Sequence, residues 1–237
     1  MLDFEDKTVL MTSAAGALPL AVAGMFADYG ASVMLVDRAQ APLNRLRPRL
    51  SRAAGVVAAK FDLRDPAQVE AAFALAADQL GGVDIVVTGT SLALDGPGPD
   101  GDEIAWRREL REAMEVMVAV NLVAVRLLKP DGQVVNILPL AERAGEVPHP
   151  SLAGARGYGR DFTIALAREV APRGLRVNAV VPGRIAPSAE VPGGARGAMA
   201  EGVAGAVLLL ASPLAQHING AILPVDDGYG DRPGIRA

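Results

Sequence analysis

Residues 8–37 read TVLMTSAAGALPLAVAGMFADYGASVMLVD. A short apolar run, Thr8–Thr12, is followed by a helical stretch at about 18–29 and by a second short run, Ser32–Asp37. Two such runs joined by a helix form a βαβ unit, the crossover that parallel strands require. Working outward, the same alternation gives strands at Val56–Asp62, Val83–Thr88, Gln133–Leu138, Arg176–Val181 and Ala221–Val225. Helical patterns fall between them at about 41–53, 66–80, 103–128, 151–171 and 199–211. All strands but the third are largely apolar, as strands covered on both faces are. Six crossovers on seven parallel strands predict one α/β domain over residues 1–237, doubly wound, in the order 3-2-1-4-5-6-7, with three helices on each face.

Composition narrows the function classes. The chain has 237 residues, 51% of them hydrophobic, and a formal charge of −4. A chain of this size buries roughly 70–75% of its unfolded surface, so a single large core is expected. The acidic balance argues against a nucleic-acid partner. Absence of cysteine, with only His149 and His217 as histidines, excludes disulfides, thiolate sites and a His-rich zinc site, so no metal is expected. The apolar stretch Ala14–Ala27 carries Gly16, Pro19 and Gly24 and stops at Asp28, short of the roughly 20 residues of a membrane span. The opening MLDFEDKTVL holds three acids and one lysine, the reverse of a signal peptide's basic start, and a cytoplasmic location is expected.

Two helices invite attention. The one at 103–128 opens with Trp106, Arg107, Arg108 and Glu109, then turns apolar on every face from Val116 to Leu128, interrupted by Asn121 and Arg126. Such a segment is expected to be buried all round. The helix at 151–171 starts with Ser151, Gly154, Gly157 and Gly159, which implies a close backbone approach or else a helix that begins only near Arg160. The segment Arg184–Gly197 is loop-like and follows the sixth strand's carboxyl end, where doubly wound sheets bind ligands.

The pieces VLMTSAAGALP, LVDR, FDLRD, VDIVVTGTS, VVNI, ALAREVAPRGLRVNAVVPG and AVLLLASPLAQHINGAILPVDDG, in this order, resemble the short-chain dehydrogenase/reductase family across essentially the whole chain. The resemblance implies a Rossmann-like domain and a nicotinamide-dependent alcohol dehydrogenase or ketone reductase that assembles as a tetramer. The family's phosphate loop, T-G-x-x-x-G-x-G, uses glycines so that backbone N–H groups can approach the pyrophosphate. Here Thr12 is kept, but the glycine positions hold Ser13, Ala17 and Pro19, with Gly16 one place off. The loop reads as impaired, the alternative being a tolerant loop that still admits NAD. Asp37 matches the family's ribose-binding acid and Asp62 its adenine-contacting Asp; either equally reads as a vestige that caps a turn. The N-N-A-G after the fourth strand is replaced by Thr88-Gly89-Thr90-Ser91.

The family's chemistry, as the resemblance implies, uses a Tyr general acid/base, a Lys that lowers its pKa, a Ser that binds the carbonyl and a supporting Asn. Counting back without gaps from Pro182-Gly183 places the Tyr at Leu152 and the Lys at Arg156. Thirteen residues before Leu152, at the Ser position, stands Pro139. For the Asn, spacing from Trp106 gives Ala113, while Asn121 has the VNL context; Ala113 is preferred because Asn121 requires two compensating gaps. Tyr158 lies six positions after Leu152, about 240° around the helix, on another face. Arg156 cannot act as a base. Pro187 replaces the Thr that contacts the nicotinamide carboxamide. Near positions 139–156 the titratable groups are Glu142, Arg143, Glu146, His149 and Arg156.

No catalytic residue and no bound cofactor are therefore expected in this chain. The expected role is a non-catalytic subunit of a heterotetramer. Its partner is an active homologue that carries NAD and oxidises an alcohol, hydroxyacyl-CoA substrates being among the candidates. Helices 103–128 and 151–171 and the C-terminal strand are expected to form the interface, with close packing across Gly154 and Gly157. The alternatives are a stand-alone nucleotide- or ligand-binding regulator and an oxidoreductase with unorthodox residues.

Overall fold

Side chains alternate across each strand, and the first strand shows what that does for the core. In β1 (Thr8–Thr12), Val9 and Met11 join one apolar cluster and Leu10 the other, all three buried. The computed structural model describes residues 2–14, 17–40, 43, 50, 52–89, 102–139, 150–183 and 200–226. Its further elements are α1 (Ala17–Asp28), β2 (Ser32–Asp37), β3 (Val56–Lys60), α2 (Pro66–Leu80), β4 (Ile85–Gly89) and α3 (Glu103–Leu127). They continue with β5 (Gln133–Ile137), α4 (Pro150–Val170), β6 (Arg176–Pro182), α5 (Ala200–Ala211) and β7 (Ile222–Val225). All pairings are parallel, in the order β3-β2-β1-β4-β5-β6-β7, as expected.

One face of the sheet is covered by α1 and α5, through Phe26, Val207 and Leu208. The other is covered by α2, α3 and α4, through Phe73, Val120 and Leu166. The expected helix at 41–53 lies largely outside the described residues, as do residues 184–199. Local chemistry sets the element ends. At α2 the Asp65 side chain accepts from Ala67 N at 2.9 Å, Pro66 occupies the first helical position, and Gly81 closes the helix in the left-handed conformation. The third strand ends at Lys60, two residues before the expected Asp62, because Phe61–Asp65 turns into that cap.

Two expectations about the helices are corrected. Within Val116–Leu128, Val120, Val123 and Ala124 are buried, but Leu122 is 46% and Leu127 48% exposed, so the segment is not buried all round. In addition, Arg126 reaches outward to Glu70 of α2 at 2.7 Å. Helix α4 begins at Pro150, not near Arg160, and the close approach is made by Gly159. A Cβ on Gly159 would stand 2.6 Å from Leu138 Cδ2, whereas one on Gly154 meets only Leu110 Cδ1 at 3.7 Å and one on Gly157 meets nothing within 4 Å.

Candidate functional site

The strand order reverses between β1 and β4, and ligands of doubly wound sheets bind at that switch point, outside the strands' carboxyl ends. Thr12 and Ser13 leave β1 there and face Gly89, the last residue of β4. Gly89 N donates to Thr12 Oγ1 at 3.1 Å, and Ser13 Oγ donates to Gly89 O at 3.1 Å. Ser13 has φ +51°, a left-handed conformation that favours glycine. Pro19 is the third residue of α1 and lacks the N–H that a helix's first turn otherwise leaves free for an anion. Residues 15–16, the Ala17 side chain and residues 90–101, which include Thr90 and Ser91, lie outside the described residues.

The two acids that the resemblance implies as cofactor contacts are already engaged. Asp37, at the end of β2, accepts from Ala39 N at 3.2 Å, an Asx-type turn. Asp62 accepts from Arg64 N at 3.1 Å and Arg64 Nε at 2.9 Å. The Arg64 side-chain hydrogen bonds hold the Asp62 carboxyl at about 2, below its ordinary 3.8. A depressed carboxyl pKa stabilises the fold above the unfolded value; that contribution fades as the pH falls through about 2. Replacing Arg64→Ala is expected to return the Asp62 carboxyl towards 3.8 in a carbon-detected NMR titration. An unchanged midpoint would show that another group holds it.

Pro139, at the position expected for the family's Ser, is buried just beyond β5. Helix α4 runs beside α3 so that Gly154 lies against Leu110 and Gly159 against Met117. This register puts position 113 level with position 156, and Asn121 two turns further along. The side chains of Ala113 and Leu152 are outside the described residues, as are residues 140–149 and Pro187. Arg156 is half-buried and has an interaction partner. Tyr158 is 39% exposed and stacks on Phe162 with ring centroids 5.9 Å apart.

Beneath the site lies a buried polar cluster that sequence reading did not assemble. Asn136 of β5 and Asn121 of α3 form a reciprocal amide pair, with Nδ2 to Oδ1 distances of 2.9 and 3.2 Å. Asn136 Nδ2 also donates to Thr163 Oγ1 of α4 at 3.0 Å, and Thr88 Oγ1 of β4 donates to Asn136 Oδ1. Asn121 Nδ2 reaches back to Met117 O at 2.8 Å, and Thr163 Oγ1 donates to Gly159 O at 2.7 Å. All four residues are at most 1% exposed. Asn121 therefore braces α3 against the sheet. The available signal was a polar residue inside each apolar strand, Thr88 in IVVTG and Asn136 in QVVNI. Among the described residues no cluster of acids or histidines is able to hold a metal ion, and no helix is long and apolar enough to cross a membrane.

A seven-stranded parallel sheet of this order, with helices on both faces and its reversal between β1 and β4, defines a Rossmann-like, dinucleotide-binding type of domain. The family profile described as enoyl-(acyl carrier protein) reductase matches residues 14–230, and the chain belongs to the short-chain dehydrogenase/reductase family. Galactitol 2-dehydrogenase (L-tagatose-forming) of Cereibacter sphaeroides is 31% identical, over 92% of this chain and 93% of its own length. 3-Oxoacyl-(acyl-carrier-protein) reductase FabG of Vibrio cholerae serotype O1 is 28% identical, over 96% of this chain and 98% of its own. Among solved structures, a short-chain dehydrogenase/reductase (glucose/ribitol dehydrogenase) from Brucella melitensis superposes with a TM-score of 0.86 at 25% identity, covering 98% of this chain and 99% of that one.

Proposed function

We propose that this chain is a non-catalytic subunit that pairs with an active short-chain dehydrogenase/reductase in an NAD-dependent heterotetramer, the partner carrying the cofactor and the chemistry. The observation that carries this reading is the unbroken helix α4 from Pro150 to Val170. With no break to shift the count back from Pro182-Gly183, Leu152 and Arg156 hold the positions of the family's phenol and ammonium one turn apart. Tyr158, the tyrosine of that helix, is two residues past Arg156 and stacks on Phe162. Buried Pro139 brings no hydroxyl to the end of β5.

The described residues also do not fit a dinucleotide diphosphate. Ser13 spans the crevice to Gly89, Pro19 withholds an N–H from the helix start, and Arg64 occupies Asp62. Asp37 remains at the end of β2, with one carboxylate oxygen spent on its own turn. The competing reading, an oxidoreductase with unorthodox residues, draws on the activities named for the relatives.

Helix α3 exposes Leu122 and Leu127, and α4 exposes Tyr158 and has the open positions Gly154 and Gly157; we assign the partner to these two helices. The test is a native mass measurement on the chain purified from its own host, followed by turnover assays on the complex and on the separated chain. A second subunit of similar mass and an inactive separated chain are expected. Because Gly154 has room beside it, Gly154→Trp is expected to leave the fold intact and release the partner. Turnover by the separated chain establishes the competing enzyme reading instead. A stable monomer without turnover establishes the regulator reading.

A further inference from the structure

We propose that Ser13 is a positioning residue that ties the β1 exit to β4 across the switch-point crevice and that, beside Pro19 and the Arg64–Asp62 pair, it hinders a nucleotide diphosphate from seating there. The inference rests on the reading above, that this chain binds no dinucleotide, and names one device responsible. The chain leaving β1 is tied on both sides. Towards β4, Ser13 Oγ donates to Gly89 O at 3.1 Å, and Thr12 Oγ1 accepts from Gly89 N at 3.1 Å. Towards β2, Ala14 N donates to Val36 O at 3.4 Å. One backbone N–H of the β1 exit is thus directed into the protein, where it cannot meet an anion.

Ser13 holds this geometry at φ +51°, where a side chain's Cβ crowds the backbone and only glycine is at ease. The hydrogen bond to Gly89 is what offsets that strain. Gly89 is fitted to the latch as well: a Cβ there would stand 3.2 Å from Thr12 O, tighter than ordinary contact, and would touch Ser13 Cβ at 3.4 Å. Both bonds therefore converge on a residue with no side chain of its own to hold the crevice open. Replacing Ser13 by glycine removes the bond to Gly89 O and leaves a residue that adopts left-handed backbone without strain.

The experiment uses the full chain, with ADP as the diphosphate probe and NAD in parallel, in isothermal calorimetry on the wild type, Ser13→Gly and Ser13→Ala. Ser13→Gly is expected to bind ADP at least tenfold more tightly than the wild type. Ser13→Ala keeps the strained backbone and loses the bond, so its melting temperature is expected to fall below those of both other forms. A wild type that does not bind, beside a Ser13→Gly variant that gains nothing, overturns the latch alone. Tight binding of ADP and NAD by the wild type overturns the latch together with the reading it rests on. A Ser13→Ala melting temperature equal to the wild type's also overturns the latch, because the hydroxyl then carries no load.

Discussion

Asn136→Leu is expected to destabilise the protein by about 3–5 kcal/mol, the cost of stranding several buried polar groups at once. Asn136 is the hub of the buried cluster. It exchanges two hydrogen bonds with Asn121, donates to Thr163 and accepts from Thr88. Leucine fills similar volume, so cavity formation is a minor part of the effect. What remains is an Asn121 carbonyl oxygen without its donor and a Thr88 hydroxyl without its acceptor, both away from water. Against a total stability of about 5–15 kcal/mol, such a loss is large and should lower Tm by roughly 10 °C. Urea denaturation of the single variants and of the Asn121→Leu/Asn136→Leu double variant isolates the coupling. The double variant should recover part of the loss, since it removes both amides together. A single-variant loss below about 1 kcal/mol would show that the cluster is solvated.

Arg176→Leu is the second large effect expected, at about 3 kcal/mol. Arg176 opens β6 with 9% of its surface exposed, and its guanidinium donates to three carbonyls: Leu210 O at 2.9 Å, Ile218 O at 3.1 Å and Ser212 O at 3.3 Å. These lie at the end of α5 and in the turn leading to β7, so one side chain both caps a helix and pins the edge strand. Burial draws its pKa below the usual guanidinium value, a sign that desolvation offsets part of the gain. The net loss therefore falls short of three charge-assisted bonds at about 1.5–3 kcal/mol each. The turn itself is held by Asn178 Nδ2 to Ile218 O and by Asn219 Oδ1, which accepts from Val177 N, both at 2.9 Å. The loss should therefore appear first as local opening. Hydrogen exchange is expected to speed up at the β6–β7 amides, such as Ala179 and Gly183, before β1 or β4 is affected. Uniform acceleration across the sheet would contradict a local role. Arg176→Lys, which keeps the charge but loses the planar fork, should fall between the two.

The outline of the fold was legible because it depends on short-range patterns. Apolar runs of strand length, 3.6-residue periodicity and caps such as Asp65-Pro66 with Gly81 act over a few residues, so most elements begin and end within two residues of the expected positions. The strand order followed from the handedness of the crossovers. The identities of Ser13, Pro19, Pro139, Leu152 and Arg156, at the positions that the family resemblance implies for its functional residues, need no coordinates to read.

Only the tertiary structure decided what those residues and their neighbours do. Thr88, Asn121, Asn136 and Thr163 are separated by up to 75 positions in the chain, and nothing local says that their side chains meet; the packing of α3 and α4 on β4 and β5 brings them together. The glycines of α4 look alike in the sequence, yet Gly159 is pressed against Leu138, just beyond β5, while Gly154 and Gly157 have room. The left-handed backbone of Ser13 and its bond to Gly89, 76 residues away, likewise exist only once β1 and β4 lie side by side. Pattern specifies where elements form because backbone hydrogen bonding and amphipathicity are local. Which polar side chains meet depends on how distant elements cross, and that is determined by packing the whole sheet.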